Sequence, residues 1–320
     1  MDLILATSDG KEERVLTEDI DIDIGNTNDF VLYASYGTWQ GDIQEGKMIY
    51  IPGTEYGGII KCIKSATNTG KIDVKGFTWR GYLAHRFIIP PAGSDYYIAS
   101  GDANSIINAL VNIPNFVVST KTSINISSYQ FNRYVSVDEG LNAMLASVGY
   151  RLDIKYIQTQ AGGYVFLQAV PAVNYGDTIE YSQDSPIDFS TNDDQMGVNH
   201  LICLGKGELK DRLVVHLYAD KDGNISQTQS IFGIDEIVET YDSSGSEYEN
   251  LIESGTKKLG ELISKKTFTA AVNEIEQELY LGDTVSGVDY ITSNAVTKPI
   301  REKIVKIKNG RMGIDYKIEE

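Results

Sequence analysis

The chain has 320 residues, of which 42% are hydrophobic and 23% are charged, so we expect about two folded domains rather than a disordered chain. Its formal net charge of −17 argues against non-specific binding to nucleic acid or to an anionic membrane, because both depend on Lys and Arg. No stretch approaches the roughly 20 apolar residues of a membrane helix, and the start lacks the basic segment of a signal peptide.

The first 90 residues predict a run of short strands separated by turn residues. Turns are expected at Ser8–Gly10 and at Asn68–Gly70, where small and polar residues interrupt apolar runs. The predicted strands lie at 3–6, 14–16, 30–36, 47–51, 56–63 and 71–79. Strands at this spacing are typical of an antiparallel barrel or sandwich.

Residues 91–160 change character and predict a small α+β unit. Asp102 is expected to cap a helix that ends before Pro114. Ser136–Glu139 is a capping box, and the helix it opens is expected to end at Gly149. Strands at 150–156 and 164–169 should follow, so the simplest interpretation is an insertion between β-rich parts.

Residues 195–320 predict a further β-rich region with one helix. Strands are expected at 200–204, 212–218 and 268–275, with a turn at Asp222-Gly223. Ser246–Glu249 matches a second capping box, which would open the helix. The stretch 221–245 fits either a barrel strand or a loop.

The end of the chain predicts a closing β-hairpin. Asn309-Gly310 is a strong hairpin signal, because both residues tolerate a positive φ. The strand before it runs from Ile300 through Ile307. After it, Met312, Ile314, Tyr316 and Ile318 alternate with other residues and should share one face of a sheet.

Acidic clusters are the first candidates for a metal site. Asp220–Asn224 resembles the start of a calcium loop, but Ile225 and Ile231 stand where that loop needs Gly and Glu, so a hairpin turn is favoured. Asp19, Asp21 and Asp23 alternate with isoleucine; a strand with one solvated face is favoured over a cation site.

Histidine and cysteine positions predict no active site. His85, His200 and His216 have no metal-ligand spacing, although His200 and His216 could lie on neighbouring strands. Cys62 and Cys203 are flanked by apolar residues and are expected to be two buried thiols rather than a disulfide or a nucleophile. Paired carboxylates for sugar hydrolysis stay open, since 45 acidic residues allow many pairs. We predict no catalytic, cofactor-binding or metal-binding residues and no enzymatic activity.

Three segments together resemble a known family. They are Gly46–Ile60 with Lys75–Leu83, the Ser246 helix before a strand, and Leu281–Asp283 with the closing hairpin. In order and turn chemistry they resemble the baseplate hub proteins of phage tails and related contractile particles, in particular the siphovirus "Gp37-like" prophage hub proteins. The resemblance covers nearly the whole chain and rests on turn residues and strand order.

The resemblance implies a fold that is mainly β with an α+β insertion, built on two tail-tube-like antiparallel β-barrel domains. Residues 1–90 with 164–190 would form the first barrel, 91–163 the inserted α+β domain, and 195–320 the second β-barrel domain with one helix near 247–264.

It also implies a structural role without cofactors. A homotrimer would adapt the six-fold tail tube to the three-fold central spike, with baseplate wedge and tape-measure proteins as further partners. No sequence-specific nucleic acid and no membrane would be bound. The protein would be made in the bacterial cytoplasm and act in the baseplate of a virion, a bacteriocin or a related particle.

Two other functions stay open at this point. Trp39 and Trp79 would suit a carbohydrate-binding module of a tail adhesion device, because aromatic faces stack on sugars. A cell-wall hydrolase is the third reading, but the chain lacks a recognisable catalytic motif.

Overall fold

The computed structural model describes residues 2–160, 162–175, 180–181, 187–194, 196–263, 265–272, 278–289 and 294–318. Within these ranges the chain forms two compact units. Unit 1 contains residues 1–189 and 269–319, and unit 2 contains residues 190–268.

The described residues form 22 strands and four α-helices. The strands are β1 Leu3–Ala6, β2 Glu12–Leu16, β3 Asp19–Ile24, β4 Asp29–Ser35, β5 Met48–Tyr50, β6 Gly57–Ala66, β7 Lys71–Thr78, β8 Ile98–Asp102, β9 Phe116–Val118, β10 Asn125–Gln130, β11 Tyr150–Thr159, β12 Gly162–Pro171, β13 Glu180–Tyr181, β14 Ile187–Asp194, β15 His200–Leu204, β16 Val214–Ala219, β17 Ile225–Ser226, β18 Val238–Asp242, β19 Lys265–Val272, β20 Thr284–Asp289, β21 Asn294–Lys308 and β22 Arg311–Ile318. The helices are α1 Trp79–Ala84, α2 Ala103–Leu110, α3 Val137–Ala146 and α4 Tyr248–Leu262.

The largest sheet has 13 strands among the described residues. Its path runs β14-β19-β22-β21-β3-β4-β7-β6-β5-β1-β2. Off this path, β20 pairs with β21, and β13 pairs with β20. Strand β3 shows why the sequence forms it: the isoleucines of its Asp-Ile repeat are buried, and the aspartates face outward. The predicted alternation of Asp19, Asp21 and Asp23 with buried isoleucines is therefore confirmed.

The closing hairpin is confirmed, and its place in the fold is corrected. Lys308 pairs with Arg311 across the turn, where Asn309 has φ 52° and Gly310 has φ 74°. However, β21 pairs with β3 at the start of the chain, from Lys303 opposite Ile24 to Ile307 opposite Ile20. The hairpin thus extends the N-terminal sheet instead of closing a second barrel within residues 195–320.

The predicted insertion, residues 91–163, contains β8 to β11 with α2 and α3, whereas β12, which was expected to belong to the first barrel, pairs instead with β11 and β9. Both predicted caps are confirmed: the Asp102 carboxylate accepts a hydrogen bond from the Ser105 N–H, and the Ser136 hydroxyl accepts one from the Glu139 N–H. Its strands form separate sheets, β10-β8 and β11-β12-β9. The prediction of a mainly antiparallel β fold with an α+β insertion is confirmed.

The insertion and the large sheet share one hydrophobic core. Buried side chains of β1, β5 and α1, such as Ile4, Tyr50 and Trp79, belong to the same cluster as Leu141 and Leu167 of the insertion. Residues 91–163 are therefore not a separate compact unit, since they lie within unit 1.

Unit 2 is a four-stranded sheet with one helix. The order is β17-β16-β15-β18, and α4 packs against β15 and β16. Its core contains Leu201, Cys203, Leu217, Leu251 and Leu259. The predicted helix near 247–264 and the turn at Asp222-Gly223 are confirmed, and 238–242 of the open stretch form β18.

Two local predictions were wrong. Ser246 does not cap α4: its N-cap is Glu247, without a side-chain cap bond, and the Ser246 hydroxyl bonds to that of Ser243 instead. Cys62 is exposed, because a bulge between Ile60 and Cys62 shifts the inward–outward alternation of β6. Cys203 is buried as expected.

Across the described ranges, no helix has both the length and the apolar character that a membrane crossing needs.

Candidate functional site

A fully buried cation, Lys303, lies in the interior of unit 1. This side chain has 0% exposure, and its Nζ lies 2.8 Å from Glu278 Oε1. Its ammonium also lies 4.7 Å from the ring centre of Tyr56 and 4.9 Å from that of Tyr280, with Tyr316 at 5.7 Å. Three ring faces and one carboxylate thus replace the water that this cation loses.

Local backbone geometry turns Lys303 inward. A register shift between Ile300 and Glu302 interrupts the alternation of β21, and from there Lys303 and Val305 face the core. Gly25 makes room for this bulge, because a Cβ there would lie 2.0 Å from the Arg301 carbonyl oxygen. Gly25 also has φ 103°, which other residues rarely adopt.

The electrostatics of the pair favour an ionised Glu278. Burial by itself would raise the pKa of Glu278, but the Lys303 charge and hydrogen bonds from Lys303, Tyr56 and Tyr280 hold it below its usual value. Burial lowers the pKa of Lys303, and the carboxylates of Glu55 and Glu278 oppose that shift. The ring faces further favour the ammonium form.

A second buried cation, Arg80, joins the sheet to the insertion. Its Nε lies 3.1 Å from Glu55 Oε2, and one terminal nitrogen lies 3.3 Å from Asp138 Oδ1 of α3. The other terminal nitrogen donates to the Leu152 carbonyl at 3.0 Å. Burial raises the pKa of Asp138, although Arg80 opposes it. Arg80 is the second residue of α1, so a short helix places this contact.

A third ion pair ties the insertion to the C-terminal segment. Arg151 Nε donates to Asp283 Oδ1 at 3.0 Å, and the guanidinium lies 4.3 Å from the Tyr280 ring centre. Asp283, with 0% exposure, also accepts from the backbone N–H groups of Val173 and Tyr280. The Leu281–Asp283 segment forms a turn, with Gly282 at φ 89° and the Asp283 N–H donating to the Tyr280 carbonyl.

These three clusters stabilise the fold and are poorly arranged for acid–base chemistry. Glu55, Asp138, Glu278 and Asp283 are each bonded to a Lys or Arg, whereas a glycosidase needs two carboxyl groups that flank a substrate. The described part of the chain contains no group of three or more His, Cys, Asp or Glu residues that could hold a metal ion.

The acidic loop considered for calcium is a turn. The Asp220 carboxylate accepts hydrogen bonds from the N–H groups of Asp222 and Asn224 at 2.9 and 2.8 Å. This pattern closes the connection between β16 and β17, as predicted.

The two histidines predicted on neighbouring strands do meet in unit 2. His200 Nε2 lies 2.8 Å from His216 Nδ1, and His200 Nδ1 lies 2.6 Å from Glu236 Oε1. The His200 ring also stacks on Tyr218 with centres 4.4 Å apart. Both nitrogens of His200 are therefore engaged by side chains, which describes a structural cluster on the sheet.

Sequence reasoning missed the buried cations. Lys303 and Tyr56 come from opposite ends of the chain, and no local spacing joins them. Lys303 itself gave no signal, because it is one of four charged residues among the eight from Ile300 to Ile307.

Comparisons with known proteins find solved structures with a similar fold. No protein-family model matches the chain, and no curated protein matches it. Among solved structures, the 43 kDa tail protein of prophage MuSo2 from Shewanella oneidensis matches with a TM-score of 0.56 at 12% identity, covering 100% of this chain and 98% of that one.

Two further solved structures are also similar to this chain over nearly its whole length. The tail protein from Neisseria meningitidis MC58 gives a TM-score of 0.52 at 14% identity, over 100% and 97% of the two chains. A chain of the phage P2 baseplate in its activated conformation gives 0.52 at 12%, over 99% and 98%. The chain therefore has the fold found in phage tail and baseplate proteins.

Proposed function

We propose that this chain is the structural hub of the baseplate of a phage tail or phage-tail-like particle. The observation that carries the proposal is correspondence along the whole length: tail and baseplate chains match 97–98% of their own length and 99–100% of this one. The buried ion pairs fit this role, since they join segments of unit 1 that are distant in sequence.

The proposed assembly is a homotrimer that adapts the six-fold tail tube to the three-fold central spike. Wedge and tape-measure proteins would be its further partners, and the baseplate its location. The net charge of −17 suggests an acidic inner surface that repels phosphates, so that DNA passes without sticking. A neutral or basic inner wall would contradict this part.

The carbohydrate-binding alternative receives less support. Trp79, one of its two candidate aromatic residues, is 1% exposed and packs at 5.2 Å on the Tyr156 ring. A sugar cannot stack on that face.

The test is the mass and symmetry of the purified chain. Light scattering after size exclusion should give three times 35.3 kDa, and electron micrographs should show a three-fold ring. A monomer that binds cell-wall glycan, or one that releases sugar or peptide from cell walls, would contradict the hub.

A further inference from the structure

A cavity of about 310 Å³ in unit 1 has features of a ligand site. It lies between the large sheet and the insertion, where β6 and α1 face the segment before β9. Its apolar wall includes Met48, Ile59, Ile113 and Val165. This volume is at the small end of those that proteins use for ligands.

Two residues that line the cavity carry buried hydrogen-bond donors without a partner among the described residues. Trp79 is 1% exposed, and its Nε1 has no acceptor within the described part of the chain. The Tyr82 hydroxyl is also buried and unpaired within the same ranges. Unsatisfied buried donors are costly, so native proteins rarely keep them without an unseen acceptor.

The charge around the cavity is positive in an otherwise acidic chain. Lys61 lies with its ammonium 5.8 Å from the Tyr82 ring centre, and Arg86 donates to the Tyr82 carbonyl at 3.1 Å. Both line the cavity, and neither forms an ion pair with a carboxylate of the described residues. The bulge in β6 falls at Lys61, and bulges commonly re-aim a side chain at a site.

We propose that this cavity binds the carboxyl-terminal end of a partner polypeptide whose last residue is apolar. The terminal carboxylate would accept from Trp79 and Tyr82 and would face Lys61 and Arg86, while the last side chain fills the apolar wall. Phe116 lines the cavity and begins β9, the edge strand of its three-stranded sheet. A peptide backbone can pair with such an edge, which favours a peptide over a fatty acid.

A partner polypeptide of this kind would be another protein of the tail, so its binding at this cavity rests on the proposed tail role. The binding test reads out one cavity within one chain, whereas the hub proposal is tested by mass and symmetry. Failure of one is therefore distinguishable from failure of the other.

The probe is N-acetyl-leucine, which ends in a carboxylate, and the control ligand is N-acetyl-leucinamide. The chain has two tryptophans, so a ¹⁵N-labelled sample gives two indole N–H signals, which Trp39→Phe assigns. N-acetyl-leucine should shift the Trp79 signal in a saturable manner and leave that of Trp39 in place. The amide should shift neither.

Variants locate the carboxylate contacts. Tyr82→Phe and Lys61→Gln should each weaken binding about tenfold, because a hydrogen bond to a charged group is lost. Lys64→Gln on the same strand, outside the cavity, is the matched control and should bind as the parent does.

Three results would overturn the proposal. They are equal shifts with the acid and the amide, no shift of the Trp79 signal, and binding of octanoate in the absence of N-acetyl-leucine binding.

Discussion

At the residue scale, Lys303 shows how a fully buried charge is tolerated. Its ammonium is held by one carboxylate and three aromatic faces that come from three different parts of the chain. Such a group stabilises the fold only while its partners remain, because an unpaired buried charge costs far more than the pair contributes.

Replacement of Lys303 by Met should lower the free energy of unfolding by about 2–3 kcal/mol. This loss of stability is smaller than the loss usually measured when one partner of a buried ion pair is removed. The reason is that Glu278 is 32% exposed, so water can solvate its carboxylate in part. Urea denaturation of the full chain measures the loss.

The matched control is Lys308→Met on the same strand, where the lysine is 58% exposed; it should change stability by no more than about 0.5 kcal/mol. The double variant Lys303→Met/Glu278→Gln should recover part of the loss. Equal losses of stability for Lys303→Met and Lys308→Met would show that the buried ion pair contributes no more to stability than an exposed lysine does.

At the element scale, the closing hairpin depends on two residues with positive φ. Gly310 has φ 74°, and a Cβ there would meet no atom within 4 Å. Any cost of adding a side chain at Gly310 is therefore conformational rather than steric.

Gly310→Ala should destabilise the chain by about 1 kcal/mol, since a left-handed backbone conformation is higher in free energy for alanine than for glycine. Gly313→Ala in β22 is the control, because its surroundings are equally open and its backbone is extended; it should be neutral or slightly stabilising. Thermal unfolding of both variants compares them. A similar loss at both sites would mean that the turn does not set the hairpin.

Elements governed by local chemistry were predictable from the sequence, and long-range pairings were not. Asp102 and Ser136 cap their helices because the cap needs only the next three residues. Ser246 fits the same pattern, yet a nearby serine competes for its hydroxyl. The pairing of β21 with β3 and the Lys303 cluster depend on contacts far apart in sequence, which no local pattern encodes.

At the scale of the whole molecule, the two units have separate hydrophobic cores. Leu141 of α3 lies in the core of unit 1, and Leu251 of α4 lies in that of unit 2; both have 0% exposure. We therefore expect the two units to open independently.

Leu141→Ala and Leu251→Ala should each cost about 2–5 kcal/mol, but in different places. Native-state hydrogen exchange read by mass spectrometry should show faster exchange in unit 1 for Leu141→Ala and in unit 2 for Leu251→Ala. Faster exchange throughout the chain in both variants would mean that the units unfold as one.

The pairing of β21 with β3 also sets the timing of folding. About 280 residues separate Ile24 from its partner Lys303, which corresponds to roughly 15–55 s of synthesis at common translation rates. Until then, one edge of β3 has no partner, and an open edge invites aggregation. Asp19, Asp21 and Asp23 place charge along that edge, so the same residues that solvate the finished sheet protect the nascent one. Exchange labelling of stalled nascent chains should find this edge protected only after β21 has been made.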